Sequence, residues 1–368
     1  MEFIDLKAQQ ERILEKVRHN IDKVLEHGKY IMGPEVTELE EKLAKYVGVK
    51  HCISCANGTD ALLMALMVKG IGPGDAIFTP PFTFIAAAEM VALLGATPVF
   101  VDIDEKTFNL DPKKLEEAVK NFSKPGLTPK GVIPVDLFGQ PADYDEINRI
   151  AKENNLFVIE DAAQSFGGEY KGKKVCSLAE IATTSFFPAK PLGCYGDGGA
   201  IFTDDDDIAA LLQSIRIHGK GEDKYDNVRV GINGRLDTMQ AAVLLPKLEI
   251  LDEEMDLRQK VTKRYGKGLA DTVEVPYILD ECTSAWALYT VKSGRRDEIL
   301  QKLKEKDIPA GVYYPKPLHL QDAFKSLGYK RGDFPVAEKC CDTVFSLPMH
   351  PYLTEKDQDY IIEVLKSA

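Results

Sequence analysis

The chain lacks most of the features that settle a protein's class at a glance. Its 7 cysteines are an odd number, which suits a reducing cytoplasm better than a disulfide framework. The longest clean apolar run, Ala61 to Val68, falls far short of the roughly 20 residues that a membrane-spanning helix needs. The opening Met1-Glu2-Phe3-Ile4-Asp5-Leu6-Lys7 has neither the basic nor the apolar region of a signal peptide. Basic residues are outnumbered, 46 Lys and Arg against 58 Asp and Glu, and the net charge of −12 argues against counterion release on nucleic acid. An acidic chain can still bind an anion through a few local donors. These absences lead to the expectation of a soluble, acidic, cytoplasmic protein with no membrane or nucleic-acid partner.

Familiar motifs are missing as well. No G-x-G-x-x-G follows a strand; Gly70-Ile71-Gly72-Pro73-Gly74 precedes one and has the wrong spacing. There is no Walker loop and no HExxH. Cys52-Ile53-Ser54-Cys55 has no second pair and no nearby histidine, so no metal site is expected. Internal repeats and low-complexity tracts are absent. The one charge run, Asp204 to Asp207, stands where carboxylates favour a helix start.

What is present is an ordinary globular composition, 44% hydrophobic and 28% charged, in a chain of 368 residues, long enough for about two domains. Helical spacing runs from Lys7 to His27 and from Glu35 to Val47. Short apolar runs then alternate with helix-like stretches: Ala76–Phe78, Pro98–Val101, Val132–Val135, Phe157–Ile159, Ile181–Ser185 and Ala200–Phe202 read as strands. Such alternation implies right-handed crossovers and an α/β fold with a mostly parallel sheet and helices on both faces. After Arg235 a long helical stretch, Leu236 to Leu269, leads to a smaller α+β lobe containing Trp286–Val291, Asp297–Lys306, Gly311–Tyr314 and Glu355–Lys366. The expected division is a large α/β domain over 1–249 and a small α+β domain over 250–368.

Three constellations carry chemistry. Lys190 lies between Pro188 and Pro191, beside aromatics and ahead of Gly196-Asp197-Gly198-Gly199. Burial there would disfavour the ammonium and leave an amine fit for Schiff-base formation, although most lysines are plain surface charges. Phe157-Val158-Ile159-Glu160-Asp161 is a strand that ends in acids, where open α/β sheets gather ligand groups. A carboxylate there can hold a protonated ring nitrogen or simply cap a helix. Asn57-Gly58-Thr59 opens an apolar helix, whose free N–H groups either bind a phosphate or are merely capped. Together the lysine, the strand-end acid and the anion-type helix start are the parts that pyridoxal 5′-phosphate requires, and Ser185 can add a hydroxyl to the phosphate.

Through these strings the sequence resembles the DegT/DnrJ/StrS-type nucleotide-sugar aminotransferases, a branch of the fold-type I pyridoxal-phosphate enzymes. The resemblance runs from Phe3-Ile4-Asp5-Leu6 to Ser346-Leu347-Pro348-Met349-His350-Pro351 and is carried by Asn57–Leu62, Glu160–Gly167 and Pro188–Gly193. It implies Lys190 as the Schiff-base lysine and Asp161 as the partner of the pyridine nitrogen. It places Gln164 on the ring-hydroxyl side, Gly58, Thr59 and Ser185 on the phosphate, and Phe84 on the pyridine face. It further implies a homodimer with shared active sites, in which Asn233 of the second subunit reaches the cofactor phosphate. Arg229 and Arg235 reach the substrate, as do Tyr313 and Tyr314. Tyr313 departs from the His-Tyr-Pro string common in such enzymes.

The activity implied is transfer of an amino group from L-glutamate to UDP-2-acetamido-2-deoxy-3-oxo-glucuronate, for bacterial surface polysaccharide such as O-antigen. The alternatives are a 3-keto or 4-keto deoxyhexose nucleotide as acceptor, or a non-enzymatic ligand sensor on the same fold. Related sugar dehydratases carry histidine in place of the lysine, so Lys190 favours transamination.

Overall fold

The computed structural model describes residues 1–223 and 225–368. Helix α1 (Leu6–His27) starts where the Asp5 carboxylate accepts the Ala8 N–H and ends at Gly28, whose φ of 67° is left-handed. Helix α2 (Pro34–Val47) follows, with proline in its first turn. A run of alternating elements then builds the main sheet: β1 (His51–Cys55), α3 (Gly58–Val68), β2 (Asp75–Thr79), α4 (Ala86–Leu93), β3 (Thr97–Phe100), α5 (Pro112–Lys120), β4 (Thr128–Val132), α6 (Tyr144–Glu153) and β5 (Phe157–Asp161). After a small hairpin, β6 (Glu169–Tyr170) and β7 (Lys173–Lys174), come β8 (Ile181–Ser185), β9 (Gly199–Thr203) and α7 (Asp206–Ile215).

The seven-stranded order is β1-β9-β8-β5-β4-β2-β3. Only β9 opposes its neighbours; it runs antiparallel to both β1 and β8. Side chains alternate between two cores. Cys52, Ala76, Phe78, Val158, Ala182, Ala200 and Phe202 pack on one face, with α2 and α6. Ile53, Ile77, Ile159, Ile181 and Ile201 pack on the other, with α3, α4 and α7. Both faces are therefore covered, as the apolar strand runs require.

Helix α8 (Thr238–Leu269) crosses the molecule and contains Pro246. The missing N–H of Pro246 frees the Ala242 carbonyl, and Asn20 of α1 donates to that oxygen at 3.2 Å. Beyond it lie β10 (Cys282–Thr283), β11 (Tyr289–Lys292), α9 (Arg296–Glu305), α10 (Pro335–Thr343), β12 (Val344–Leu347) and α11 (Glu355–Lys366). A third core, including Val261, Tyr265, Tyr289, Phe345 and Ile361, holds this smaller lobe together. We propose that the change of lobe falls within α8, after residue 249.

Some elements differ from their expected bounds. The fourth strand lies at Thr128–Val132, not Val132–Val135, because Gly131 is where the chain meets the Phe157 ring; a Cβ there would stand 2.2 Å from it. Val135 joins Asp161 by a single bridge instead. Trp286 has φ 50° and stays outside the strand that begins at Tyr289, and Gly311 makes only an isolated bridge to Ser346. The aspartate run behaves as expected: Asp205 caps α7 through the N–H groups of Asp207 and Ile208.

One buried ion pair fastens the exit of β1. Arg216, 4% exposed, donates to Glu40 and to the Ser54 carbonyl, and the Ser54 N–H donates to Glu40 at 2.9 Å. Removing one partner of such a pair strands the other charge. Arg216→Met is expected to lower unfolding stability by about 3 kcal/mol, measured by urea denaturation; a loss within the error of that titration would show that the pair holds nothing.

Candidate active site

The carboxyl ends of the parallel strands converge on a cavity of about 840 Å³. Lining it are Gly58, Thr59, Phe84, Asp161, Gln164, Ser185, Lys190, Tyr313 and Tyr314. Nine of the residues singled out from the sequence thus meet in one place, although they span most of the chain.

At the exit of β1, Asn57 caps α3 by accepting the Asp60 N–H at 2.8 Å. The first-turn N–H groups at Gly58 and Thr59 have no intrahelical acceptor and face a site suited to an anion. Gly58 packs against Ser185, at the end of β8; a Cβ on Gly58 would lie 2.7 Å from the Ser185 Cβ. The helix start and a hydroxyl therefore form one cradle. Phe84 is 56% exposed although it lines the cavity, which leaves an aromatic face open to a flat ring.

Strand alternation separates the two acids that end β5. Glu160 points into the core, where it accepts the N–H groups of Cys176 at 2.6 Å and Leu178 at 2.9 Å. Asp161 points into the cavity and accepts the Ala163 N–H at 3.1 Å. Burial pushes the Asp161 carboxyl up to about 6, against the pull of that N–H and of Lys190. Lys190 lies in a tight loop, where its N–H donates to the Phe187 carbonyl at 2.8 Å. Burial lowers its ammonium below the usual lysine range, and Asp161 partly offsets this. An amine that deprotonates more readily than usual faces a carboxylate across the cavity.

Gln164 is oriented from both ends. Its Oε1 accepts the Phe138 N–H at 2.9 Å, so its amide NH2 turns towards the Tyr314 hydroxyl, 3.3 Å away. Asp136 braces the same turn: its carboxylate accepts the hydroxyls of Ser165 and Tyr144, and burial pushes it up to about 7. Phe3, Thr83 and Gln321 also line the cavity, and none of them was singled out as a site residue from the sequence. Phe3 arrives through tertiary packing alone, with its carbonyl on the Met349 N–H and its ring 6.1 Å from Tyr313.

The second group of expected residues is not brought to this cavity within one chain. Arg229 is exposed and donates to Ser214, Asn233 is exposed, and the buried Nε of Arg235 has no partner among the described residues.

Comparison with known proteins agrees with this chemistry. The model of the DegT/DnrJ/EryC1/StrS aminotransferase family matches residues 11–366. The chain belongs to that family. A UDP-2-acetamido-2-deoxy-3-oxo-D-glucuronate aminotransferase of Pseudomonas aeruginosa is 54% identical over 96% of each chain. A pleiotropic regulatory protein of Geobacillus stearothermophilus is 45% identical over 98% of this chain and 96% of its own. Among solved structures, a DegT/DnrJ/EryC1/StrS aminotransferase from Brucella abortus superposes with a TM-score of 0.96 at 52% identity, over 100% of this chain and 99% of its own. NtdA of Bacillus subtilis, solved with bound pyridoxamine phosphate, gives 0.89 at 32% identity, over 96% and 81%. The chain is a pyridoxal-phosphate aminotransferase, and its cavity has the kinds of group that cofactor requires: a helix start suited to an anion, a buried carboxylate, an exposed aromatic face and an amine.

The raised carboxyl of Asp161 has a definite consequence for pH. In the cofactor-free protein its proton is held more tightly folded than unfolded, so this contribution to stability is present below the unfolded value of 3.8 and is lost as the pH rises through about 6. Unfolding of the apoenzyme against pH should therefore show Asp161→Asn gaining on wild type across that interval; a constant difference would contradict the buried charge.

Proposed function

We propose that the chain transfers the amino group of L-glutamate to the 3-keto carbon of UDP-2-acetamido-2-deoxy-3-oxo-glucuronate. The product is a 3-amino sugar nucleotide for surface polysaccharide such as O-antigen. The enzyme works as a cytoplasmic homodimer. The observation that carries the chemistry is the meeting of Lys190, Asp161 and the Gly58–Thr59 helix start in one cavity. Support for the acceptor comes from the 54% identical Pseudomonas relative.

Bound pyridoxal phosphate supplies an aldehyde that captures amines and a ring that accepts electrons from a carbanion. In this reading Asp161 keeps a proton on the ring nitrogen, and the low-lying amine of Lys190 attaches the cofactor. Lys190, freed by the donor amine, would be the group that moves a proton from the donor α-carbon to C4′, as base and then as acid. Thr59, Gly58 and Ser185 hold the phosphate, Phe84 covers the ring, and Gln164 with Tyr314 borders the ring hydroxyl. No helix of the described residues is long and apolar enough to cross a membrane.

Charge supports the shared site. Lys190 is the only lysine or arginine among the described residues lining the cavity, whereas cofactor phosphate, pyrophosphate and uronate are all anionic. In our reading the missing cations, Arg229 and Arg235, come with Asn233 from a second copy. The neighbouring surface is apolar and open: Val230 is 85% and Val228 54% exposed.

Two measurements test this. With glutamate and a panel of keto-sugar nucleotides followed by mass spectrometry, the 3-oxo-glucuronate form should gain the amino group with parallel initial-rate lines. Turnover of a 4-keto hexose nucleotide alone would overturn the substrate, and intersecting lines the mechanism. For the dimer, Lys190→Ala and Arg235→Ala should each be inactive alone but recover about a quarter of wild-type activity when mixed and refolded, since one hybrid site is then intact. Without recovery, the shared site is wrong.

A further inference from the structure

Lys247 is a lysine in the wrong place for a surface charge. It sits on α8, 2% exposed, and among the described residues no carboxylate lies within 4.0 Å of its Nζ. Its contacts are the Gly193 carbonyl, at 2.6 Å, and the ring of Tyr195, 4.4 Å from Nζ. A buried ammonium with no carboxylate in direct contact costs stability, even with buried Glu254 further along the helix attracting it, so a simple packing residue would be apolar. Burial does lower it, to about 8.

What it holds is the loop that presents Lys190. That loop is closed by the Cys194 N–H donating to the Phe186 carbonyl at 2.8 Å, and within it the Lys190 N–H donates to Phe187. Gly193 lies so close to the start of the loop that a Cβ would come 2.4 Å from the Pro188 oxygen. One helical face grips the same stretch twice. Gln240, seven residues before Lys247, accepts the Tyr195 N–H at 2.9 Å. The geometry points to Lys247 as the positioning residue that fixes the Pro188–Gly193 loop on α8 and thereby aims the Lys190 amine at the cofactor. This rests on Lys190 being the amine that attaches the cofactor.

Lys247→Met keeps the length of the side chain and removes the donor; Lys247→Gln retains a shorter neutral donor and serves if the first variant does not fold. Amide hydrogen exchange of the apoenzyme is expected to quicken at least tenfold in peptides covering 186–195, with α11 unchanged. In the holoenzyme, the visible absorbance of the bound cofactor should titrate at a shifted pH, and its dissociation constant should rise tenfold or more. Lys247→Arg should recover part of each effect. Wild-type exchange and titration in the Met or Gln variant would overturn the assignment. So would an exchange increase spread evenly over the chain, which marks a purely structural role, or a loosened loop with unaltered cofactor affinity and titration. A Lys190→Ala protein that still bound the cofactor covalently would instead refute the underlying reading, leaving the exchange result to stand by itself.

Discussion

Burial of one carboxylate at the end of β5 is the constraint around which the site is arranged. Asp161 is 7% exposed and receives a single backbone donor, too little to keep its proton affinity at the usual value. A cation in the cavity is the natural remedy, and in the proposed function a protonated ring nitrogen would supply one. Lys190 shares the same space and feels the same desolvation with opposite sign. Each group is poor in compensation alone, and a ligand placed between them satisfies both. The cofactor-free pocket is therefore held in a costly state that binding relieves.

The rest of the fold keeps that pocket open. Two-sided burial of the sheet fixes which residue of each strand end faces the cavity, and so separates Asp161 from Glu160. Backbone bonds lock the neighbouring turn: Asp161 donates to Pro134 and accepts from Asp136, while Phe138 orients Gln164. Asp136, braced by Tyr144 and Ser165, is a second buried acid behind the first.

Much of this was legible in sequence, for identifiable reasons. Short apolar runs marked most of the sheet, helical spacing marked the long helices, and residues forced together by local chain geometry, such as Asn57-Gly58-Thr59, announced themselves. Helices α5 and α10 did not stand out: only Leu115 is fully buried in the first, and the second is a short run opened by proline. The position of β4 depended on Gly131 yielding room to Phe157, a contact between residues on adjacent strands that no local pattern encodes. Phe3 and Lys247 were silent for the same reason. Each gains its meaning from a partner far along the chain, Tyr313 and Gly193 respectively. A lysine that follows the apolar Ala241–Pro246 stretch of a mixed helix says nothing about the carbonyl it will find.

Strand β9 bears on how the sheet is assembled during synthesis. Of the seven strands in the sheet it is the latest in sequence, yet it lies between β1 and β8, and its Gly199 faces Cys55 on one side and Ser185 on the other. The two halves of the anion cradle are thus joined through a residue more than halfway along the chain. A nascent polypeptide still short of that point lacks the strand that ties β1 to β8, so the sheet beneath Cys55 and Ser185 closes only once the chain has passed Thr203.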